Sequence, residues 1–408
     1  MKKISRVAAL VLLSVATLDA SGYRIPEQSL NSTALSAAYV AGANGADASY
    51  YNPANMAFMG DGASLETALT YIRLTSISYT DTLPAAVGLN GDSKVENFIM
   101  PTFHYVSPKQ GNLRYGLSVV APGGLSKRWD EAYGKAYAQE FSLKIIELNP
   151  TISYMLHDKF AIGFGLRGVY TDGVVKSDNG AGASRDLSGD SIDFGYNMAL
   201  SYKAMENVTL STTYRSKIDL TVDGEATLAG GAYRGGAKVE VPLPAALTLA
   251  AAYTIDKTTV EFVFERTYWS SYKELDFNYD VDLRATALAP FDNPIIKNWK
   301  DVNAYRIGVT HQYSDTLKLM AGFAIDKNPI PDGYVGFELP DSDAKLYSLG
   351  FEYKLDKQMS LGLAYLYDDK ESRSVTQRID SADPKTGLSG TFEDASAHLV
   401  TASFKYKF

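Results

Sequence analysis

The chain has 408 residues, 28 of them Tyr and none of them Cys, and a formal net charge of −8. Without cysteine there are no disulfides, no thiol chemistry and no zinc–thiolate sites. The acidic balance, with no basic cluster, argues against nucleic acid as a partner.

Lys2, Lys3 and Arg6 form a basic start, residues 7–16 are mostly apolar, and Leu18-Asp19-Ala20 is an acceptable cleavage site. This predicts a secretory signal peptide over residues 1–20, since the apolar run is too short to span a bilayer as a helix. A buried N-terminal helix is the alternative. No second apolar run of membrane-helix length follows, so insertion into a membrane requires a barrel.

Residues 21–63 do not alternate. Residues 30–48 are rich in Ala, Ser and Gly with helical stretches, and residues 49–55 (Ser-Tyr-Tyr-Asn-Pro-Ala-Asn) read as a turn. This stretch is expected to form a hatch inside a barrel built from residues 64–408.

From residue 64 onward, apolar and small or polar residues alternate with period two. The segments are 64–74, 98–106, 113–121, 143–156, 160–170, 192–202, 208–218, 239–253, 259–267, 304–313, 317–325, 346–355, 359–367 and 397–408. Most are near the ~9–11 residues a tilted strand needs to cross a bilayer. The connections sort by length. Those at 107–112, 157–159, 203–207, 254–258, 314–316 and 356–358 are short. Those at 75–97, 122–142, 171–191, 219–238, 268–303, 326–345 and 368–396 are long and hold charge, Gly and Pro. Short periplasmic turns and long outer loops mark outer-membrane barrels. The predicted fold is therefore an all-β membrane protein, a 14-stranded antiparallel transmembrane barrel with a small N-terminal hatch.

The faces agree. Phe160, Ile162, Phe164 and Leu166 alternate with Ala161, Gly163, Gly165 and Arg167; Tyr347, Leu349, Phe351 and Tyr353 alternate with Ser348, Gly350, Glu352 and Lys354. A cation facing lipid at mid-bilayer costs roughly 2–4 kcal/mol. The register thus directs Arg114, Glu147, Arg167, Asp193, Arg215, Lys217, Glu261, Glu265, Arg306, Lys318 and Glu352 to the lumen, and Arg266 to the outer rim. The last strand alternates Val400, Ala402, Phe404, Tyr406 and Phe408 with Thr401, Ser403, Lys405 and Lys407.

Several stretches resemble one family. They are Ser21-Gly-Tyr-Arg24, Ala34–Tyr39, Gly42, Ala46-Asp47-Ala48 and Tyr51-Asn52-Pro53-Ala54, then Ala121-Pro-Gly-Gly-Leu125, Trp269–Leu275, Asn298–Asp301, Tyr305–Gly308 and Leu339–Asp343. Taken in order, they are similar to the long-chain fatty-acid and hydrocarbon transporters of the bacterial outer membrane (FadL/TodX type). The resemblance implies passive uptake of hydrophobic molecules, most of all long-chain fatty acids, with aromatic hydrocarbons as the alternative. No metal-ligand spacing or Gly-rich phosphate loop appears in the sequence, so no cofactor, no metal and no catalysis are expected. Ligand would be captured by outer loops, held in a lumenal apolar pocket and released sideways at a kink in the third strand. The implied partners are the hydrophobic ligand, outer-membrane lipid and lipopolysaccharide, and the barrel-insertion machinery reading the last strand and its Phe408. A monomer is expected.

On this reading Asn52, Pro53 and Ala54 form a hatch gate, or else a turn without a gating role. The kink falls at Pro122, Gly123 and Gly124, because Pro lacks an N–H and Gly permits bulges. An ordinary turn there, or a kink near Gly116, are the alternatives. Tyr23 matches an aromatic that reaches ligand in the family, or else belongs to a frayed terminus, and Met56, Phe58 and Met59 are candidates for contact with the ligand's apolar tail, or else form a packed hatch core. A carboxylate needs a cation, which Arg167, Arg215, Lys217, Arg306 or Lys318 could supply, although lumenal acids compete for each. The outer loops 171–191 and 219–238 are short for the family, which moves the expected capture site to 268–303 with Leu288, Pro290, Phe291, Ile295 and Ile296. An enzyme and a general porin are the rival readings. Of the four histidines only His104 points inward, with no catalytic partner motif, and the plug-like N-terminus opposes an open pore.

Overall fold

The computed structural model describes residues 22–84, 87–376 and 387–408; the expected signal peptide lies outside the described residues. Fourteen antiparallel strands close into a barrel. They are β1 (Ser64–Leu74), β2 (Glu96–Val106), β3 in two pieces (Leu113–Val120 and Gly124–Lys127), β4 (Glu140–His157), β5 (Phe160–Asp178) and β6 (Ser184–Met205). β7 (Val208–Arg215 and Ile218–Leu228) and β8 (Tyr233–Leu243 and Ala246–Ile255) are also in two pieces. β9 (Thr258–Thr267), β10 (Val302–Gln312), β11 (Leu317–Asp326), β12 (Ala344–Lys354), β13 (Met359–Lys370) and β14 (Ser396–Lys407) complete the ring. Closure is by β1 on β14, from Ser64↔Lys407 to Leu74↔Ala397. The Phe408 N–H extends it by donating to the Ala63 carbonyl at 3.0 Å.

The period-two pattern decides which way each side chain faces. Leu69, Phe164, Phe262, Leu349 and Leu363 stand exposed on the outer wall, while their small neighbours Ala68, Ala161, Ala250 and Ala364 are buried inside. A sheet that turns its apolar face outward is stable only against lipid, and closure pairs the first strand with the last. Among the described residues, no helix is long and apolar enough to cross a membrane.

Three expectations need correction. Residues 171–191 and 219–238 are not loops: β5 and β6 run on to Asp178 and back from Ser184, and β7 and β8 form a second long hairpin. Charge and glycine mark the end of the lipid belt there, at outward Lys144, Asp172 and Asp190, but the ladder continues past it. Residues 239–253 are two strands, because Pro244 lacks the N–H a continuous ladder needs. Lys217 does not face the lumen; β7 breaks after Arg215, and Lys217 lies half-exposed, paired with Asp219 at 2.8 Å.

Residues 22–63 occupy the barrel interior, with α1 (Leu30–Ala34), α2 (Ala48–Tyr51) and a 3-10 turn at Pro53–Phe58. Inward glycines make the seat. A Cβ on Gly322 would lie 2.1 Å from the Leu35 backbone, one on Gly163 2.5 Å from the Ala54 nitrogen, and one on Gly362 2.0 Å from Leu30. Polar anchors fix the hatch further. The Glu261 carboxylate accepts from the N–H groups of Val40, Ala41 and Gly42 at 2.7, 2.6 and 2.9 Å. Arg114, fully buried, donates to the carbonyls of Ser107, Met56, Gly60 and Gly62. At the outer end, Tyr79, Trp129, Phe337 and Phe392 pack ring on ring over the barrel.

Candidate functional site

The wall is interrupted beside β3. Val120 pairs with Glu147 and Gly124 with Lys144, so three residues, Ala121-Pro122-Gly123, oppose two, Ile145-Ile146. That is a bulge, and Pro122 withholds the N–H that would close it. On its other side β3 pairs with β2 only from Val106↔Gly116 to Phe103↔Val119. β2 itself pairs with β1 over its whole length, from Ser64↔Val106 to Leu74↔Glu96. Residues 96–102 therefore have no strand beside them toward β3.

Pro101 explains why that edge stays open. In an antiparallel ladder the N–H and C=O of one residue face the same neighbour, and successive residues alternate. Ser107 N–H donates to the Tyr115 carbonyl of the β3 side, and the Thr102 carbonyl faces Thr67 of β1. Odd-numbered residues thus face β3, and the N–H missing at Pro101 is missing on the open edge.

The hatch supplies the lost partners. Ile25 N–H donates to the Pro122 carbonyl at 3.0 Å, and Gly124 N–H to the Tyr23 carbonyl at 2.9 Å. The Gln28 side-chain amide clips both backbone groups of Ala121, donating to its carbonyl and accepting from its N–H, each at 2.8 Å. A Cβ on Gly123 would lie 2.9 Å from the Tyr23 carbonyl oxygen, so this close approach requires glycine. His104 completes the lower edge. Its Nε2 lies 2.8 Å from the Gln28 carbonyl, which can only accept, so Nε2 carries the proton; Nδ1 then accepts from Ser118, at 3.1 Å. The upper edge is the Ser93↔Trp129 bridge, beside which Arg128 grips Glu96 at 2.8 and 2.6 Å.

Behind the break lies a cavity of about 510 Å³, within the ~300–1,000 Å³ of small-molecule sites. Tyr23, Ile25 and Glu27 of the hatch line it, with Phe98, Met100, Leu125, Leu143, Ile145 and Leu399 of the wall. Ile99 and Ile146, whose side chains face lipid, line the same space. Burial pushes the Glu27 carboxyl up to about 7, and its Oε1 has no hydrogen-bond partner among the described residues.

Of the sequence candidates, Tyr23, Gly123 and Gly124 line this cavity, and Pro122 sits in the bulge. Tyr23 is buried edge-on to Trp269 at 4.7 Å, and its hydroxyl donates to the Pro242 carbonyl. Gly116 lies in the paired part of β3, and its missing side chain makes room for Met56 and Ser49. Asn52, Pro53 and Ala54 lie away from the break, against β4, β5 and β6: Asn52 donates to Val40 and Ser201, and Ser153 donates to the Ala54 carbonyl. Met56 is buried in the hatch, while Phe58, under the Lys203 ammonium, and Met59 line a hollow at the periplasmic mouth.

Of the candidate cations, Arg167, Arg215, Arg306 and Lys318 do not line the wall cavity, and each has an acid. Arg167 and Arg215 share Glu147, Arg306 lies 3.5 Å from Asp326, and Lys318 lies 2.8 Å from Glu352. Leu288 and Phe291 of the expected capture loop pack inward on the outer core. Pro101, Gln28 and Lys127 were missed. Pro101 inside a strand was a readable signal; Lys127 fell in a presumed loop.

The family model described as outer membrane protein transport protein (OMPP1/FadL/TodX) matches residues 11–408. The chain belongs to this family. The long-chain fatty acid transport protein of Escherichia coli K12 is 24% identical over 379 residues, covering 80% of this chain and 82% of that protein. A FadL homologue of Pseudomonas aeruginosa superposes with a TM-score of 0.82 at 19% identity, covering 95% of this chain and 99% of that one. The toluene transporter TodX of P. putida gives 0.69 at 19%, covering 93% and 98%. At these identities the structural likeness establishes the fold. As a FadL/TodX-family barrel, the protein is a bacterial outer-membrane transporter.

Proposed function

We propose that the protein carries long-chain fatty acids inward across the outer membrane, taking them into the wall cavity and releasing them sideways through the break between β2 and β3. One observation carries this: lipid-facing Ile99 and Ile146 line the same apolar space as hatch residues Tyr23 and Ile25. An apolar solute gains roughly 0.8 kcal/mol per CH₂ on leaving water, so a wet pore offers it nothing and a dry path into hydrocarbon does. Tyr23–Gln28 is the strap at the opening, and the Asn52–Ala54 turn anchors it from a distance. Aromatic hydrocarbons are the second cargo, favoured by the Tyr23, Trp269, Tyr272 and Trp299 rings beside the cavity. The chain acts as a monomer without catalysis, its belt in contact with lipid and lipopolysaccharide, and its last strand read by the insertion machinery.

Uptake of labelled palmitate and toluene by cells with and without the protein, with mass spectrometry of what copurifies, tests this. Uptake that depends on the protein is expected. A large steady aqueous conductance, with no uptake of either compound, would replace transport of hydrophobic cargo with a general porin.

A further inference from the structure

We propose that Lys127 anchors the carboxylate of an amphiphilic cargo at the outer end of the wall cavity, so that the cargo sits head outward with its tail toward the break. This rests on the transport reading above and names the chemistry the cavity selects.

Among the described residues four cations line the cavity: Arg24, Lys127, Lys144 and Lys370. Three have acids. Arg24 lies 2.9 Å from Glu265, Lys370 2.6 Å from Asp341, and Lys144, out on the surface, 3.4 Å from Asp172. Lys127 is the exception. Only 4% of it is exposed, and among the described residues its one hydrogen-bond partner is the Ser93 hydroxyl at 3.3 Å. Glu96, across the break, is already gripped through both oxygens by Arg128.

An ammonium has three protons to donate, and burying it without a counter-charge is costly. A single negative charge brought by the cargo satisfies it. Among the described residues a dianion would find no second free cation here. The surroundings set the rest of the molecule. Phe98, Leu125 and Leu143 are apolar, and Ser126 and Ser142 add hydroxyls near the head. Lys127 lies three residues beyond Gly124 along β3, roughly 10 Å outward at ~3.3 Å per residue. From there the apolar lining runs down to Ile145, Ile146 and Ile99 at the break. A monocarboxylate with a long chain fits both ends. A neutral hydrocarbon leaves Lys127 uncompensated, so the cavity discriminates between the two kinds of cargo known among the relatives.

The test is equilibrium binding of palmitate and of methyl palmitate to the purified full-length barrel in detergent. Wild type, Lys127→Gln and Lys127→Arg are compared, with heat-modifiable gel mobility confirming that each is folded. Wild type is expected to bind palmitate about tenfold or more tighter than the ester, the size of one charge-assisted hydrogen bond. Lys127→Gln should lose that preference while holding the ester unchanged, and Lys127→Arg should keep it. A preference that survives in Lys127→Gln, or ester and acid bound alike by wild type, overturns the assignment and leaves the transport reading standing. Wild type that binds neither compound overturns both.

Discussion

Two interruptions of the barrel wall among the described residues differ in what stands behind them. The first, beside β3, has the hatch strap and an open apolar cavity at its back. The second lies between β6 and β7. There the ladder runs to Arg215↔Asn197, stops, and resumes at Asp223↔Asp190, with Ser216 still donating to the Tyr196 carbonyl at 2.9 Å. Both breaks strip cover from lipid-facing side chains: Ile99 is 65% exposed at the first, Ile192 66% and Phe194 77% at the second. Yet the second is shut. Ile218, 3% exposed, packs on Gly195, where a Cβ would lie 2.6 Å away, and Asp193 caps Thr221 N–H at 3.1 Å. A missing stretch of ladder is therefore not a passage by itself. A passage also needs an apolar space behind the gap and a removable segment across it.

Repairing each gap in turn separates the two breaks. Deleting Pro122 restores two residues opposite Ile145-Ile146 and should close the first. Uptake is expected to fall to that of cells lacking the protein, with the barrel still folded. Deleting Lys217 shortens the second break in the same way and should leave uptake unchanged. Equal losses from the two deletions, measured with labelled palmitate, would mean that the breaks are functionally alike.

How much of this could be read from sequence follows from the distance over which each feature acts. Alternation is local and repeats in every strand, so the barrel, its faces and the sorting of its turns were legible. The hatch was visible because residues 21–63 fail to alternate. Pro122, Gly123 and Gly124 pointed to the bulge because backbone chemistry is written at the position itself. The inward glycines were legible as a face but not as a seat, since Gly322 meets Leu35 from far along the chain. The acids that occupy Arg167, Arg215, Arg306 and Lys318 come from other strands, whose register the sequence does not state. Lys217 was misplaced because one residue of slip at the β7 break reverses every side chain after it. Lys127 was hidden because β3 resumes after its bulge, where charge and glycine read as loop.

Smaller effects sharpen the role of the strap. Gly322→Val puts methyl groups into the Leu35 backbone, and overpacking of this kind typically costs about 1–3 kcal/mol. The hatch should become protease-sensitive and the channel leaky to ions, while the detergent-resistant barrel persists. A tight, silent variant would show that the hatch does not depend on its glycine seat. Gln28→Leu keeps the shape and removes both bonds to Ala121, leaving buried groups unpaired at roughly 1–3 kcal/mol. Hydrogen exchange at residues 22–28 should quicken, whereas exchange across the second break should not change.

The least effect, and the most selective, is expected from Glu27. Its carboxyl lies in the hatch, and burial raises it from 4.5 to about 7 in the folded protein. A group with a raised folded pKa binds its proton more tightly when docked than when released. Docking is therefore strongest below about pH 4.5, weakens as pH rises toward 7, and carries the full cost of a buried charge above that. Arg306 opposes the shift and Asp368 adds to it. The strap should thus loosen as pH rises from 5 to 8, by on the order of a few kcal/mol at most. At the second break Asp193 is already held by Thr221 and by Ser191 at 2.7 Å, and the buried Glu147 behind it is paired with Arg167 and Arg215. Glu27→Gln should hold exchange at residues 22–28 flat across that range. A pH dependence that survives the substitution would move the switch to another acid, and one that appears equally at residues 191–196 would dissolve the distinction between the two breaks.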